Sequence, residues 1–184
     1  MIRLSAQRFW SLYRDEVRRC GTVLSLSTSR AWTRVAIDAA KAICLNAGLN
    51  VGNELYLDVM GYEQREPGVD FNWDLRIAFE HENSVMHWHD ELCKLCHVVA
   101  DLRVLVGYYA SGRELERNLQ QRIDLMGERM TRVADSEWLF IFGPTDSRRD
   151  RTPWSAFSIN CAGRIVQFAD DNPFNPYSCF ASRS

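Results

Sequence analysis

Residues 72–83 of the chain read NWDLRIAFEHEN, and their pattern decides how the rest of the sequence is interpreted. Apolar and polar side chains alternate through this stretch, as in a strand that buries one face, and it ends in the polar run EHEN. Residues 54–62, ELYLDVMGY, alternate in the same way. A Pro-Gly pair between the two segments favours a turn. We therefore expect a β-hairpin formed by residues 54–62 and 72–82.

Helical and strand patterns alternate along the remaining sequence. Apolar side chains that recur every three or four residues predict helices, and short apolar or alternating runs predict strands. We expect helices over residues 5–19, 29–47, 84–100 and 112–130, and further strands over residues 102–109, 138–142, 154–159 and 164–168. Strands interleaved with helices indicate an α/β (α+β) fold, in which a mixed central β-sheet is flanked by helices.

The size of the chain predicts one domain over residues 1–184. A chain of 184 residues and 21.3 kDa with 46% apolar residues fills one sizeable core. We place the centre of the domain at about residues 31–109, with a helix and strands following over 112–168. Residues 169–184 have turn chemistry and no periodicity, so we expect an irregular tail.

Charge and hydropathy limit the classes of partner. No apolar run approaches the roughly 20 residues of a membrane span, so we expect no membrane partner. A net charge of −2 argues against a protein that coats nucleic acid, although a local basic groove is compatible with it. The first residues carry no secretory signal pattern, and we therefore expect a cytoplasmic location.

Three carboxylates near the expected hairpin are the first candidate site residues. Glu80 and Glu82 are two apart and so project from one face of their strand, and hairpin pairing would bring Asp58 towards them. Converging carboxylates suit Mg²⁺ or Mn²⁺, which can position a water molecule and neutralise a phosphodiester. The alternative is that all three lie on the solvent face of the hairpin, where polar residues are expected.

The same residues carry a resemblance to a known family. The run ELYLD at residues 54–58, the run IAFEHEN at residues 77–83 and the amphipathic helix that follows resemble the core of the PD-(D/E)XK nuclease superfamily. The resemblance covers roughly residues 31–109 and implies a restriction-endonuclease-like core. It implies that Asp58 and Glu80 are the acids of the two strand motifs. The family usually has lysine at the third position, where this chain has Glu82.

A carboxylate at position 82 cannot supply the positive charge with which that lysine orients or activates the attacking water. Some members of the superfamily carry the basic group on the following helix instead. Lys94, one of two lysines beside twenty arginines, lies on that predicted helix, three residues after Glu91 and seven after His87. These positions share one helix face. Lys94 is therefore our candidate for a relocated lysine.

Two functions follow from these residues. The first is a Mg²⁺- or Mn²⁺-dependent nuclease with Asp58, Glu80 and Glu82 as metal ligands and Lys94 as the basic group, and with DNA and RNA both open as substrates. The second is a non-catalytic binding protein on the same scaffold, which could form a homodimer. The missing lysine at position 82 favours the second function, whereas a lysine within reach on the helix favours the first.

Residues 87–97, HWHDELCKLCH, form a second cluster of potential ligands. A Cys-x-x-Cys pair with nearby histidines has the spacing of a zinc site. All of its members lie in one predicted helix, however, and free cysteine commonly packs as a small apolar residue. We therefore expect Cys93 and Cys96 to extend the buried face of the helix rather than to bind zinc, and we expect His87, His89 and His97 to be mostly packing or rim residues. We likewise expect His81 to be a packed core residue rather than a catalytic base.

Overall fold

The structure is a computed structural model and describes residues 3–21, 29–66, 69, 72–109, 112–131, 136–144, 154–160 and 163–168; the expected irregular tail, residues 169–184, lies outside them. Within these residues there are helices α1 (Ala6–Gly21), α2 (Ser29–Asn46), α3 (Trp88–Cys96) and α4 (Gly112–Thr131). The strands are β1 (Asn50–Gly52), β2 (Val59–Gln64), β3 (Trp73–His81), β4 (Leu102–Tyr109), β5 (Glu137–Pro144), β6 (Ser155–Ile159) and β7 (Ile165–Gln167). None of the described helices combines the length and the apolar character needed to cross a membrane.

The described strands form one seven-stranded sheet in which neighbours follow the chain order from β1 to β7. The central pairs β3–β4 and β4–β5 are parallel. The outer pairs β1–β2, β2–β3, β5–β6 and β6–β7 are antiparallel. The structure confirms the expected fold class, because a mixed open sheet is combined with helices that alternate with its strands.

Side chains that alternate along the central strands pack into two separate apolar layers, one on each face of the sheet. Val104 and Val106 of β4 pack in the layer of α1 and α2, whereas Leu105 between them packs in the layer of α3 and α4. The connections β3–α3–β4 and β4–α4–β5 advance in the same direction along the sheet. Right-handed crossovers of this kind place both helices on the same face. The sheet is therefore covered on both sides.

The first strand of the expected hairpin begins later than its sequence pattern indicates. Leu55 and Tyr56 have φ angles of 58° and 59°, in the left-handed region, so the chain turns there and β2 starts only at Val59. The regular spacing of Leu55, Leu57 and Val59 imitates a strand, but Leu57 is buried while Leu55 is 49% exposed. The prediction of a strand over residues 54–58 was wrong, because two left-handed residues break the alternation.

Helix α3 is also shorter than expected, spanning Trp88–Cys96 rather than residues 84–100. Its N-cap residue is His87, and no side chain caps the helix start. Beyond the helix, Arg103 donates from Nε to the carbonyl oxygen of Val98 at 2.7 Å, and Val99 is largely exposed. A residue from the sheet therefore holds the backbone that follows α3. The helical spacing of apolar residues in the sequence therefore continues beyond Cys96, where the helix ends.

Candidate functional site

Asp58 and Glu80 meet where the β2–β3 pair ends. The register pairs Val59 with Phe79, so one step further places Asp58 opposite Glu80. Residues opposite each other in an antiparallel pair project from the same face. Asp58 Oδ2 accepts a hydrogen bond of 2.8 Å from the backbone N–H of His81. This bond fixes the Asp58 carboxylate at the end of β3, beside Glu80.

Helix α3 brings Lys94 to the same place. Leu92 and Leu95 bury its apolar side against the face of the sheet from which Glu80 projects. The Nζ atom of Lys94 donates to Glu80 Oε1 at 2.9 Å and to the carbonyl oxygen of Tyr56 at 3.1 Å, and it forms an ion pair with Glu91. An ammonium group has three N–H donors. Two hydrogen bonds and one ion pair therefore hold the ammonium group of Lys94 in place.

The cluster of Asp58, Glu80, Glu91 and Lys94 carries a net negative charge when all four groups are ionised. The carboxyl groups of Glu80 and Glu91 contact one ammonium group, the charge of Asp58 also acts on Glu80, and Glu80 is only 2% exposed. Burial raises the pKa of Glu80 to about 8; the hydrogen bond from Lys94 opposes this rise, and the negative charges of Asp58 and Glu91 add to it. At neutral pH, without a further cation, Glu80 therefore holds a proton most of the time.

The other two groups respond to the same surroundings. Burial raises the pKa of Asp58, although the hydrogen bond from the His81 N–H and the charge of Lys94 oppose the rise. Burial tends to lower the pKa of Lys94, but its hydrogen bonds to Glu91 and Glu80 outweigh burial and raise it. Lys94 is therefore a permanent cation near neutral pH. It is suited to neutralising negative charge rather than to accepting a proton.

Glu82 makes its contact outside this cluster. It lies one residue past the end of β3, and its Oε1 atom accepts a hydrogen bond of 2.6 Å from the backbone N–H of Ser84. Glu91 is the third acid whose charge acts on both Asp58 and Glu80. The sequence contained a signal for Glu91, since it precedes Lys94 by three residues on a helix. The expected trio of strand carboxylates thus becomes two carboxylates from the hairpin and one from α3.

His81 and the cysteines of α3 occupy different environments. His81 is buried on the α1 and α2 side, and its Nε2 atom lies 3.0 Å from the hydroxyl of Tyr108, which confirms it as a packed core residue. Cys96 is partly buried, and its Sγ atom lies 3.7 Å from Sδ of Met126. Cys93 is exposed, so the prediction that it packs in the apolar layer was wrong. The side of α3 that carries Cys93 faces solvent.

Asp58 and Glu80 could hold a hard divalent cation only if water supplied most of its ligands. In the part of the chain that the structure describes, no group of three or more His, Cys, Asp or Glu side chains is arranged to hold a metal ion. Mg²⁺ usually keeps several water ligands and takes only one or two carboxylates from the protein. Asp58 and Glu80 provide such a pair, and a divalent cation beside them would favour their ionised forms.

Compared with models of known protein families, the sequence matches none, and no curated protein matches it either. The cluster of Asp58, Glu80, Glu91 and Lys94 is therefore the feature that bears most directly on function.

Proposed function

We propose that the protein is a divalent-metal-dependent phosphodiesterase that acts on nucleic acid. One observation carries the proposal: Glu80 and Glu91 both pair with the ammonium of Lys94 at the end of β3, the charge of Asp58 also acts on Glu80, and the site is buried enough to raise the pKa of Glu80 to about 8. Excess negative charge in a partly buried site favours a bound cation. Lys94 beside it offers a fixed positive charge for a phosphate group.

Each residue of the cluster has a distinct role in the proposed reaction. Asp58 and Glu80 would hold the ion, and Glu91 would orient Lys94 through their ion pair. A bound Mg²⁺ or Mn²⁺ supplies a water molecule of lowered pKa and neutralises charge on the phosphodiester. Lys94, which stays protonated, would position a phosphate oxygen and stabilise the charge that develops on it. The proposal follows the resemblance to the PD-(D/E)XK nucleases, with Lys94 on the following helix in the role of the lysine that is absent at position 82.

The first test is a cleavage assay on single- and double-stranded DNA and RNA with Mg²⁺ or Mn²⁺. We expect cleavage by the wild type and none in EDTA. Glu80→Ala should lower the rate at least about 100-fold, because it removes a metal ligand. Cleavage at the wild-type rate by Glu80→Ala would remove this residue from the mechanism. Metal binding to the wild type, measured by calorimetry, should weaken in the same variant.

The two lysines provide a matched comparison. Lys94→Met should lower the cleavage rate about 100-fold or more, because it removes the charge that faces the phosphate. Lys41→Met makes the same chemical change on α2, outside the cluster, and should cleave at the wild-type rate. Equal activity in the two variants would contradict a catalytic role for Lys94. Rates measured at saturating metal separate this effect from a change in metal affinity.

A second candidate function is binding of nucleic acid without cleavage. Two observations favour it: position 82 is glutamate, and the ammonium of Lys94 is already engaged within the protein by two hydrogen bonds and an ion pair. This candidate predicts that oligonucleotides bind but stay intact with Mg²⁺ and with Mn²⁺. The cleavage assay therefore distinguishes the two functions directly.

A further inference from the structure

A cleft of about 620 Å³ adjoins the cluster at Lys94. It is bounded by the turn that carries Tyr56, by the start of β3 at Trp73 and by the backbone that follows α3 around Val98 and Val99. Ligand-binding clefts usually have volumes of roughly 300–1,000 Å³. The cleft is therefore large enough for a nucleobase with its sugar, and Lys94 lies on its wall.

Tyr56 stands at this cleft in an unusual conformation. Tyr56 is 93% exposed, and both it and the preceding Leu55 have left-handed backbone angles that non-glycine residues rarely adopt. Strain of this kind persists only where the surrounding structure imposes it, and it clusters at ligand sites. Here the carbonyl oxygen of Tyr56 accepts a hydrogen bond of 3.1 Å from Lys94 Nζ. The bond ties the turn that presents the ring to the proposed catalytic lysine.

The charges around the cleft favour a base over a second phosphate. Arg76 also lines it, but its guanidinium donates to Glu63 and to Asp101 and is neutralised by them. Counted over its lining, the cleft has two acids, Asp74 and Asp101, and two cations, Arg76 and Lys94. A nearly neutral cleft with aromatic and aliphatic walls suits the flat, uncharged face of a nucleobase, and aromatic side chains are common stacking platforms for single strands.

We propose that this cleft binds one unpaired base of a nucleic acid strand, stacked on the ring of Tyr56, next to the phosphate that faces Lys94. The inference rests on the proposed function and adds a base-binding site and a preference for single-stranded substrate. The carbonyl of Val98, held by Arg103 at 2.7 Å, keeps the opposite wall in place before a strand binds. The base would then fix which phosphate of the strand reaches the acids.

The test uses a single-stranded oligonucleotide that carries 2-aminopurine, whose fluorescence falls when the base stacks. Binding is measured with Mg²⁺ in the Glu80→Gln background, which removes one carboxylate charge and keeps the strand intact. Tyr56→Phe keeps the ring, whereas Tyr56→Asn removes it and tolerates the left-handed backbone. Neither change touches the backbone carbonyl that Lys94 contacts. Equal melting temperatures should confirm that both variants are folded.

We expect the Kd for the oligonucleotide to be unchanged in Tyr56→Phe and to rise about 5- to 100-fold in Tyr56→Asn, with loss of the fluorescence decrease. Equally tight binding by Tyr56→Asn, or no binding of the oligonucleotide by the parent protein, would overturn the base site. Cleavage by the wild type together with Tyr56-independent binding would overturn this inference and leave the nuclease function standing. Tyr56-dependent binding without any cleavage would support the base site and contradict the nuclease.

Discussion

In the proposed metal-dependent function, a proton and a metal ion would compete for Glu80. Its carboxyl group is almost fully buried and lies between Lys94, Asp58 and the charge of Glu91. In the absence of metal, a proton relieves the repulsion among the acids. A divalent cation bound beside the acids would relieve their repulsion through its positive charge and would keep Glu80 ionised. Metal affinity should therefore increase with pH until the proton of Glu80 is lost at about pH 8.

The raised pKa of Glu80 also predicts how the stability of the metal-free protein depends on pH. The pKa of Glu80 rises from 4.5 to about 8 on folding, so between these values the folded protein binds a proton that the unfolded chain does not. The free energy of unfolding should then fall as pH rises through this window. The contribution that is lost amounts to a few kcal/mol, at most about 5.

Glu80→Gln isolates this contribution, because glutamine has the same shape and does not titrate. We expect the wild type to lose stability relative to the variant as pH rises from about 5 to about 8. Urea unfolding in EDTA, monitored by circular dichroism across this range, measures the difference. A difference that stays constant with pH would show that Glu80 does not carry a raised pKa.

At the scale of elements, α3 is the helix that decides whether Lys94 reaches the acids. Its first residue, Trp88, packs edge-on against Phe142 at a centroid distance of 5.2 Å. Gly107 of β4 allows this approach, since a Cβ atom there would lie 2.7 Å from the Phe142 ring and 3.3 Å from Trp88 Cβ. Leu92 and Leu95, one and two turns further on, are fully buried. Helix α3 therefore packs against the sheet along its whole length.

Neighbouring residues of α3 allow a matched test of this packing. Leu92→Ala should lower the free energy of unfolding by about 2–5 kcal/mol, because it leaves a cavity between α3 and the sheet. Cys93→Ala changes an exposed side chain and should cost no more than about 0.5 kcal/mol. Urea unfolding of both variants gives the comparison. A large loss of stability in Cys93→Ala would indicate a structural role for this thiol, such as metal binding.

At the scale of the whole molecule, both apolar layers share the sheet. The same strands supply Val104 and Val106 to one layer and Leu105 to the other, so neither layer can lose its packing without exposing strands that the other layer needs. The described elements should therefore unfold together. The β2–β3 hairpin and α3 that build the site belong to this common unit.

This coupling predicts the behaviour of a substitution on the face of the sheet opposite the site. Phe9 of α1 is fully buried, and Phe9→Ala should cost about 3–5 kcal/mol. The variant should unfold in a single transition, with circular dichroism and tryptophan fluorescence giving the same midpoint. Leu92→Ala, on the other face, should shift the same transition. Two separate transitions in either variant would contradict a shared cooperative core.

The fold class and most of the elements could be predicted from the sequence. The apolar run of residues 102–109 predicted the bounds of β4 correctly, and the helical periods of α1, α2 and α4 were equally clear. These patterns are reliable because a residue in a regular element is buried according to its position in the period. Lys94 was also predictable, since the chain has few lysines and only this one lies on the helix that follows the acidic strand.

Only the tertiary structure decided which groups share the site. Alternation cannot distinguish a strand from a turn with two left-handed residues, so the conformation of Leu55 and Tyr56 was not predictable. Spacing along a strand placed Glu82 with Glu80, but β3 ends between them and Glu82 bonds to Ser84 instead. Local sequence sets period and propensity. The meeting of Asp58, Glu80, Glu91 and Lys94 depends on strand register and on the seating of α3, which are properties of the packed molecule.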